Sequence, residues 1–207
     1  MMYIYIMPLL VLVRHGQSTW NLENRFTGET DIPLTPQGRD EARLAGAKLK
    51  DIPFTHGFTS VLQRAIDTMT LLLETADQPQ LPVTHNRALN ERNYGELQGL
   101  NKKEVAKQYG DAKVAEWRRS YAVRPPGGES LADTAARVIP YYQTAIEPML
   151  KEQKDILVVA HGNSLRSLVM FLEHIGEEAI ADFDLPTGIP RRYRLNKQLK
   201  LLQVDYL

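Results

Sequence analysis

The chain of 207 residues contains no cysteine. That excludes disulfides, thiolate metal sites and cysteine nucleophiles, and it points to an intracellular, cytoplasmic setting, because disulfides belong to oxidising compartments. There is no excess of charge either. The 25 basic and 25 acidic residues cancel, so the balance gives no reason to expect nucleic acid or an anionic membrane as partner. An apolar run long enough to span a bilayer is missing as well. The run that ends at Val13 begins with M-M-Y-I-Y-I, which has no basic region, and it stops at Arg14 without a small-residue cleavage site, so it lacks the marks of a signal peptide. Met7-Pro8 reads as a natural start, making residues 1–6 an upstream extension of one domain that covers 1–207.

What is present is arranged around the stretch from Leu9 to Asn21, L-L-V-L-V-R-H-G-Q-S-T-W-N. Its apolar, partly β-branched start predicts a buried strand, and the polar cluster after it has the turn and cap chemistry of a strand running into a helix. Arg14 and His15 then stand at a strand's C-terminal end, where open α/β sheets bind ligands and where a helix start offers N–H donors to an anion. A second copy of the design follows at Asp155 to Ser164, D-I-L-V-V-A-H-G-N-S. If the two strands are parallel neighbours, His15 and His161 converge on one pocket.

Between the two motifs, Thr27 to Asp31 reads as a loop, and Thr35-Pro36 as the cap and first position of a helix reaching about Asp51. A short strand is expected at Phe54–Thr59. Ser60 then caps a helix with Leu62, Ala65, Met69 and Leu72 on its apolar face and Arg64 in its first turn. A weak strand lies around Val83, and Leu89–Leu100 has neither helical nor strand periodicity, the character of a functional loop. Asn101 caps a helix that stops at Gly110, and the next helix carries Trp117-Arg118-Arg119. Ser130 starts a long helix, kinked at Pro140, that presents Leu131, Ala135, Val138, Tyr142, Ala145 and Met149. After the second motif come a helix with Leu165, Leu168, Val169 and Leu172 inward, a short helix over 177–182, and strands at 192–195 and 199–204. Alternating strands and helices predict a three-layer αβα sandwich with a mainly parallel sheet.

The residues also suggest a chemistry. Neutral imidazole can accept a phosphoryl group near neutral pH, and the charge on the transferring oxygens then calls for guanidinium donors and a second histidine. Arg14, Arg64 and His161 fit that need, and Glu91 is the best-placed proton carrier. The segments R-H-G-Q-S-T-W-N, F-T-G-E-T-D-I-P-L-T, T-S-V-L-Q-R-A, L-N-E-R-N-Y-G-E-L-Q-G-L-N-K, W-R-R, P-P-G-G-E-S-L and A-H-G-N-S-L-R together resemble the cofactor-dependent phosphoglycerate mutases of the histidine phosphatase superfamily. The first motif alone gives only the superfamily; L-N-E-R-N-Y-G with W-R-R is more specific to mutases. The match extends in order from Leu9 to the P-T-G-I-P segment at 186–190.

The resemblance implies that His15 is the phosphoryl-carrying nucleophile, with Arg14, Arg64 and His161 holding the group and Glu91 moving the proton. It implies further that Ser18, Asn21, Thr27, Gly28, Gly162 and Asn163 line the bisphosphoglycerate site. Tyr94, Lys102, Arg118 and Arg119 would hold the far phosphate or carboxylate. The implied reaction is the glycolytic and gluconeogenic interconversion of 3- and 2-phosphoglycerate, an isomerase activity primed by 2,3-bisphosphoglycerate and needing no metal. Two departures stand out: larger members carry an extra loop between W-R-R and P-P-x-x-E-S-L, and some have a tail past the last strand. Both bear on subunit assembly, for which the sequence fixes neither monomer nor oligomer, and on leakage to water.

A phosphatase of the same superfamily, in which water takes the phosphoryl group from His15, is the nearest alternative. A non-catalytic phosphate-binding module would not need His15, Glu91 and His161 together. His56, His85 and His174 lack metal-ligand spacing and read as surface or satisfied core histidines. Arg191 and Arg192 read as solvated charges protecting a sheet edge, and Trp20 and Trp117 as packing residues beside the site.

Overall fold

The computed structural model describes residues 7–207; the upstream extension expected over 1–6 lies outside the described residues. Six strands form one sheet in the order β3-β2-β4-β1-β5-β6. They are β1 (Leu9–Arg14), β2 (His56–Thr59), β3 (Val83–His85), β4 (Ile156–Ala160), β5 (Arg191–Leu195) and β6 (Leu201–Tyr206). The pairs β1–β4, β4–β2 and β2–β3 are parallel, and β5 and β6 add an antiparallel hairpin.

Alternation along the two central strands sends side chains to opposite layers. Leu10, Leu12, Ile156 and Val158 pack under α6 (Leu131–Tyr141), α7 (Glu147–Lys151) and α8 (Gly162–Glu173). Val11, Val13, Leu157 and Val159 pack under α2 (Pro36–Leu49) and α3 (Gln63–Thr75). The sandwich with its mainly parallel sheet is therefore as the alternating pattern predicts. A smaller cluster of Phe26, Leu97, Val105, Val114 and Trp117 joins the 89–100 loop to α4 (Lys102–Tyr109) and α5 (Asp111–Arg119).

Most helix starts follow their caps: Thr35 on Gly38 N–H, Asn101 on Lys103 N–H, and Ser130 with Asp133 in a reciprocal box. Four readings are corrected. Ser60 is not the cap of α3, which begins at Gln63 behind Leu62, and its hydroxyl is used in the site described below. The long helix passes into a wide turn at Tyr142–Ile146 two residues after Pro140 removes an N–H. That turn shifts the apolar stripe, so Ile146 and Leu150 are fully buried where Ala145 and Met149 were expected, and these two are only partly covered. The 177–182 segment forms a single turn at Ala179–Ala181, too short to propagate as a helix. Arg191 is not an edge charge: β6 covers that side, and Arg191 is buried in a bidentate pair with Glu173, while Arg192 pairs with Asp205.

Candidate active site

Parallel pairing places Arg14 opposite Ala160, and the His15 N–H continues the ladder by donating to the Ala160 carbonyl at 2.9 Å. The two histidines that follow must therefore lie side by side. Their rings are 5.0 Å apart, centroid to centroid, at 61°. The strand arrangement on which the convergence of His15 and His161 depends is present.

Both rings are buried and held by fixed partners. His15 Nδ1 lies 2.7 Å from the Gly16 carbonyl; a carbonyl can only accept, so Nδ1 carries the proton and Nε2 keeps its lone pair. The Arg64 Nε–H donates to that Nε2 at 3.3 Å. Burial pushes the His15 pKa well below its ordinary value, and Arg64 and Arg14 push it further against the opposing Gly16 carbonyl. His161 is lowered by burial first, then by Arg64, His15, Arg14 and Arg137. Its Nε2 shares a 2.7 Å hydrogen bond with the Ser60 hydroxyl, which also accepts the Leu62 N–H.

Arg64 is fully buried in the first turn of α3, donating to the carbonyls of Gly28 at 2.8 Å and Thr30 at 2.9 Å. Burial lowers its pKa to about 10, with Glu91 and Asp31 opposing, so it stays cationic at neutral pH. Gly28 has φ +60°, a left-handed backbone that strains other residues, and a Cβ there would displace the Gln98 side chain, so a glycine presents this carbonyl to Arg64 at least cost. Arg14 donates to the Leu185 carbonyl at 2.8 Å and leaves its Nε buried without a partner. One expectation is met only in part at this end: Ser18 caps a helix after the strand, but it is short. No long helix starts after His15: the Gly16 N–H bonds Thr68 Oγ1, the Gln17 N–H bonds Glu41, and α1 (Thr19–Leu22) is a single turn. The N–H groups of Gly16 and Gln17 are thus committed within the protein.

Glu91 does not pair with Arg92. Its Oε1 accepts the Asn163 N–H at 3.0 Å, the Asn163 side-chain amide at 3.1 Å and the Arg92 N–H at 2.8 Å, which ties the loop to the first turn of α8. A Cβ on Gly162 would lie 3.5 Å from the Arg14 guanidinium and 3.6 Å from Glu91 Oε2, so this position leaves the space between them open.

A cleft opens above. Of the expected binding residues, Arg14, Asn21, Thr27, Gly28, Glu91, Tyr94, Lys102, Arg118, Arg119, Gly162 and Asn163 line it. His15, Arg64 and His161 are buried beside it, and Ser18 is buried with its hydroxyl committed to the Asn21 side chain. Of the six cations in the lining, Arg14, Arg25, Lys102, Arg118, Arg119 and Arg166, Arg25 pairs with Glu23, and the acidic residues of the lining are Glu91 and Asp184, so the cleft attracts anions. The Lys102 pKa is lowered by burial and then by Arg118.

Sequence reasoning missed the groups that hold this cleft together. Arg166 donates to Asn163 Oδ1 at 3.0 Å, to the Ile180 carbonyl at 2.6 Å, and to the carbonyls of Arg118 and Arg119 at 3.5 and 3.3 Å. Arg92 donates to the Arg118 carbonyl at 3.1 Å and to the Tyr94 hydroxyl at 2.8 Å. Two buried cations thus sit at the C-terminal, negative end of α5, leaving the Arg118 and Arg119 side chains for the cleft. Burial would raise the Tyr94 pKa, but Arg92 prevails and lowers it. Arg137 ties down the loop by donating to the carbonyls of Ala88, Asn90 and Glu91. Of these groups, Arg92 and Arg166 stand inside the motifs L-N-E-R-N-Y-G and H-G-N-S-L-R, but nothing in either motif marks them as ties to main-chain carbonyls. Among the described residues no group of three or more His, Asp or Glu side chains could hold a metal ion.

The family model of the histidine phosphatase superfamily (branch 1) matches residues 10–198. The 2,3-bisphosphoglycerate-dependent phosphoglycerate mutase of Cytophaga hutchinsonii is 55% identical over 201 residues, covering 97% of this chain and 94% of its own. The corresponding mutase 2 of Gloeobacter violaceus is 55% identical over 184 residues, covering 89% and 84%. Among solved structures, a mycobacterial glucosyl-3-phosphoglycerate phosphatase superposes with a TM-score of 0.83 at 28% identity, over 96% of this chain and 97% of that one. A Bacillus anthracis phosphoglycerate mutase shares the fold, with a TM-score of 0.78 at 23% identity over 97% and 92%. The chain belongs to the histidine phosphatase superfamily and, within it, to the family of the 2,3-bisphosphoglycerate-dependent phosphoglycerate mutases.

Proposed function

We propose that this protein interconverts 3-phosphoglycerate and 2-phosphoglycerate in the cytoplasm, with His15 Nε2 as the phosphoryl carrier. The observation that carries this reading is the pairing, in one cleft, of a fixed imidazole lone pair beside Arg14 and Arg64 with a second cationic end at Lys102, Arg118 and Arg119. Hydrolysis of a simple ester needs only the first end. A mutase needs both, because a bisphosphorylated intermediate must stay bound while its second phosphate turns toward the histidine.

The chain's donors suit 2,3-bisphosphoglycerate: Arg14 has an unpartnered buried Nε, and the opposite end presents forked guanidinium groups. When bound, that compound supplies the phosphoryl group that primes His15. Arg14, Arg64 and His161 then neutralise the charge on the transferring oxygens. Glu91, held by the start of α8, gives a proton to the leaving oxygen and takes it from the attacking hydroxyl. Lys102, Arg118 and Arg119 keep the far group in place, with Tyr94 beside them. No helix among the described residues is long and apolar enough to cross a membrane.

A coupled assay for 2-phosphoglycerate formation, with and without added 2,3-bisphosphoglycerate, tests the reading. Activity should depend on the additive, and the labelled phosphoryl group should be acid-labile, alkali-stable and located on His15. Label on His161 or a serine, or hydrolysis without isomerisation, would overturn it.

A further inference from the structure

Asp184 is the one acidic residue lining the cleft that the proposed mechanism leaves without a task. It lies between the Ala179–Ala181 turn and β5, on a segment pinned to the end of β1 by the Gly188 N–H, which donates to the Arg14 carbonyl at 2.9 Å. Its Oδ1 is 3.5 Å from Arg14 Nη1, and its Oδ2 is 3.8 Å from Arg119 Nη2. A single carboxylate thus reaches toward the guanidinium groups of both cationic ends.

Asp184 is not what orients Arg14. The neighbouring Leu185 carbonyl does that at 2.8 Å, while the carboxylate stands off at 3.5 Å and takes the Leu185 N–H on the same oxygen at 3.0 Å. With a side chain 56% exposed, its two long ion pairs add little to folding. Their weight falls on ligands, because a fixed negative charge beside an anion site opposes each added anionic charge in proportion.

We infer that Asp184 is a specificity-determining residue: a resident anion that weakens retention of bisphosphorylated ligands more than of monophosphorylated ones. The inference rests on the mutase reading for its physiological meaning. In that setting Asp184 speeds escape of the bisphosphate, so the enzyme must be re-primed from the free pool, and it prevents the cationic cleft from being blocked by its own intermediate.

The test compares Asp184→Asn and Asp184→Glu, each in a His15→Asn background so that bound ligand is not consumed, using calorimetric titration with 2,3-bisphosphoglycerate and with inorganic phosphate. Asp184→Asn should tighten the bisphosphate by about tenfold and phosphate by no more than about twofold. The difference should shrink as ionic strength rises from about 0.05 to about 0.5 M. Asp184→Glu should keep the original discrimination. Equal tightening of both ligands, weakening of both, or no change would overturn the inference, and weakening of both would make Asp184 a positioning residue for Arg14. Failure of the mutase reading would show separately, as absence of 2-phosphoglycerate formation by the enzyme with His15 and Asp184 intact.

Discussion

At the His15 end of the cleft the donors are set by the sheet and by main-chain carbonyls. Two adjacent strands deliver the histidines, the Gly16 carbonyl fixes the His15 tautomer, and the carbonyls of Gly28 and Thr30 hold Arg64. At the Arg118–Arg119 end nothing comes from the sheet. The clamp is the last turn of α5, itself held through its carbonyls by Arg92 and Arg166. Under the proposed mechanism the buried end serves the chemistry, where small displacements are costly, and the half-open end serves grip, where the ligand must be able to turn. A site can thus place rigidity where bonds change and leave the distal contacts to longer, more exposed side chains.

The contrast breaks most plainly at the proposed nucleophile. His15→Ala should lower turnover by about 10⁴-fold or more while phosphoglycerate still binds, since the far end is intact; a coupled assay with equilibrium binding measures both, and residual turnover within about tenfold of the parent would move the chemistry elsewhere. Replacing Arg118 and Arg119 together by alanine should weaken phosphoglycerate binding by about 3 kcal/mol, or roughly 10²-fold in Kd. Isomerisation should then fall far more than hydrolysis of a small phosphate ester, and equal losses would erase the distinction between the two ends. Glu91→Gln should cut kcat by about 10²-fold with KM little changed; a rise in KM instead would place Glu91 with the gripping groups.

The smallest expected effect is on stability. Burial, with Arg64 and Arg14, lowers the pKa of His15 and His161 in the folded protein below the 6.5 of the unfolded chain. Below about 6.5 the unfolded chain therefore binds protons that the folded one refuses, so stability is level above that pH and falls as pH drops through it. With both histidines contributing, the thermal midpoint should decrease by roughly 5–11 °C between pH about 7.5 and about 5.5. Added phosphate should reduce the slope, because an anion between the rings favours their charged forms, and a slope unaffected by phosphate would mean that the acid sensitivity arises outside this pocket.

The sheet and the histidine pair were legible because each rests on a local pattern: an apolar run, then His-Gly-x-Ser. Ser60 was misread since its hydroxyl serves His161, 101 residues away, which no local cap rule can anticipate. Arg92 and Arg166 act through main-chain carbonyls, and a carbonyl leaves no mark in a sequence. Arg191 looked like an edge charge until β6 covered it and Glu173 came to meet it across 18 residues. The wide turn at Tyr142–Ile146 shifted a helical stripe that simple periodicity assumes to be continuous.

The pairing of β1 with β4 joins segments 146 residues apart, Leu10 with Ile156. During synthesis, His15 emerges long before the strand that brings its partner ring. Closing so long a loop belongs to the slow, non-local part of folding. The alternation that buries Leu10 and Leu12 on one face and Val11 and Val13 on the other also forbids a one-residue slip, which would turn both strands inside out. A newborn chain that has reached Gln153 therefore already contains Arg14, His15, Arg64 and Glu91 but has no strand beside β1 to align them, and the histidine pair stays unassembled until the last quarter of the chain arrives.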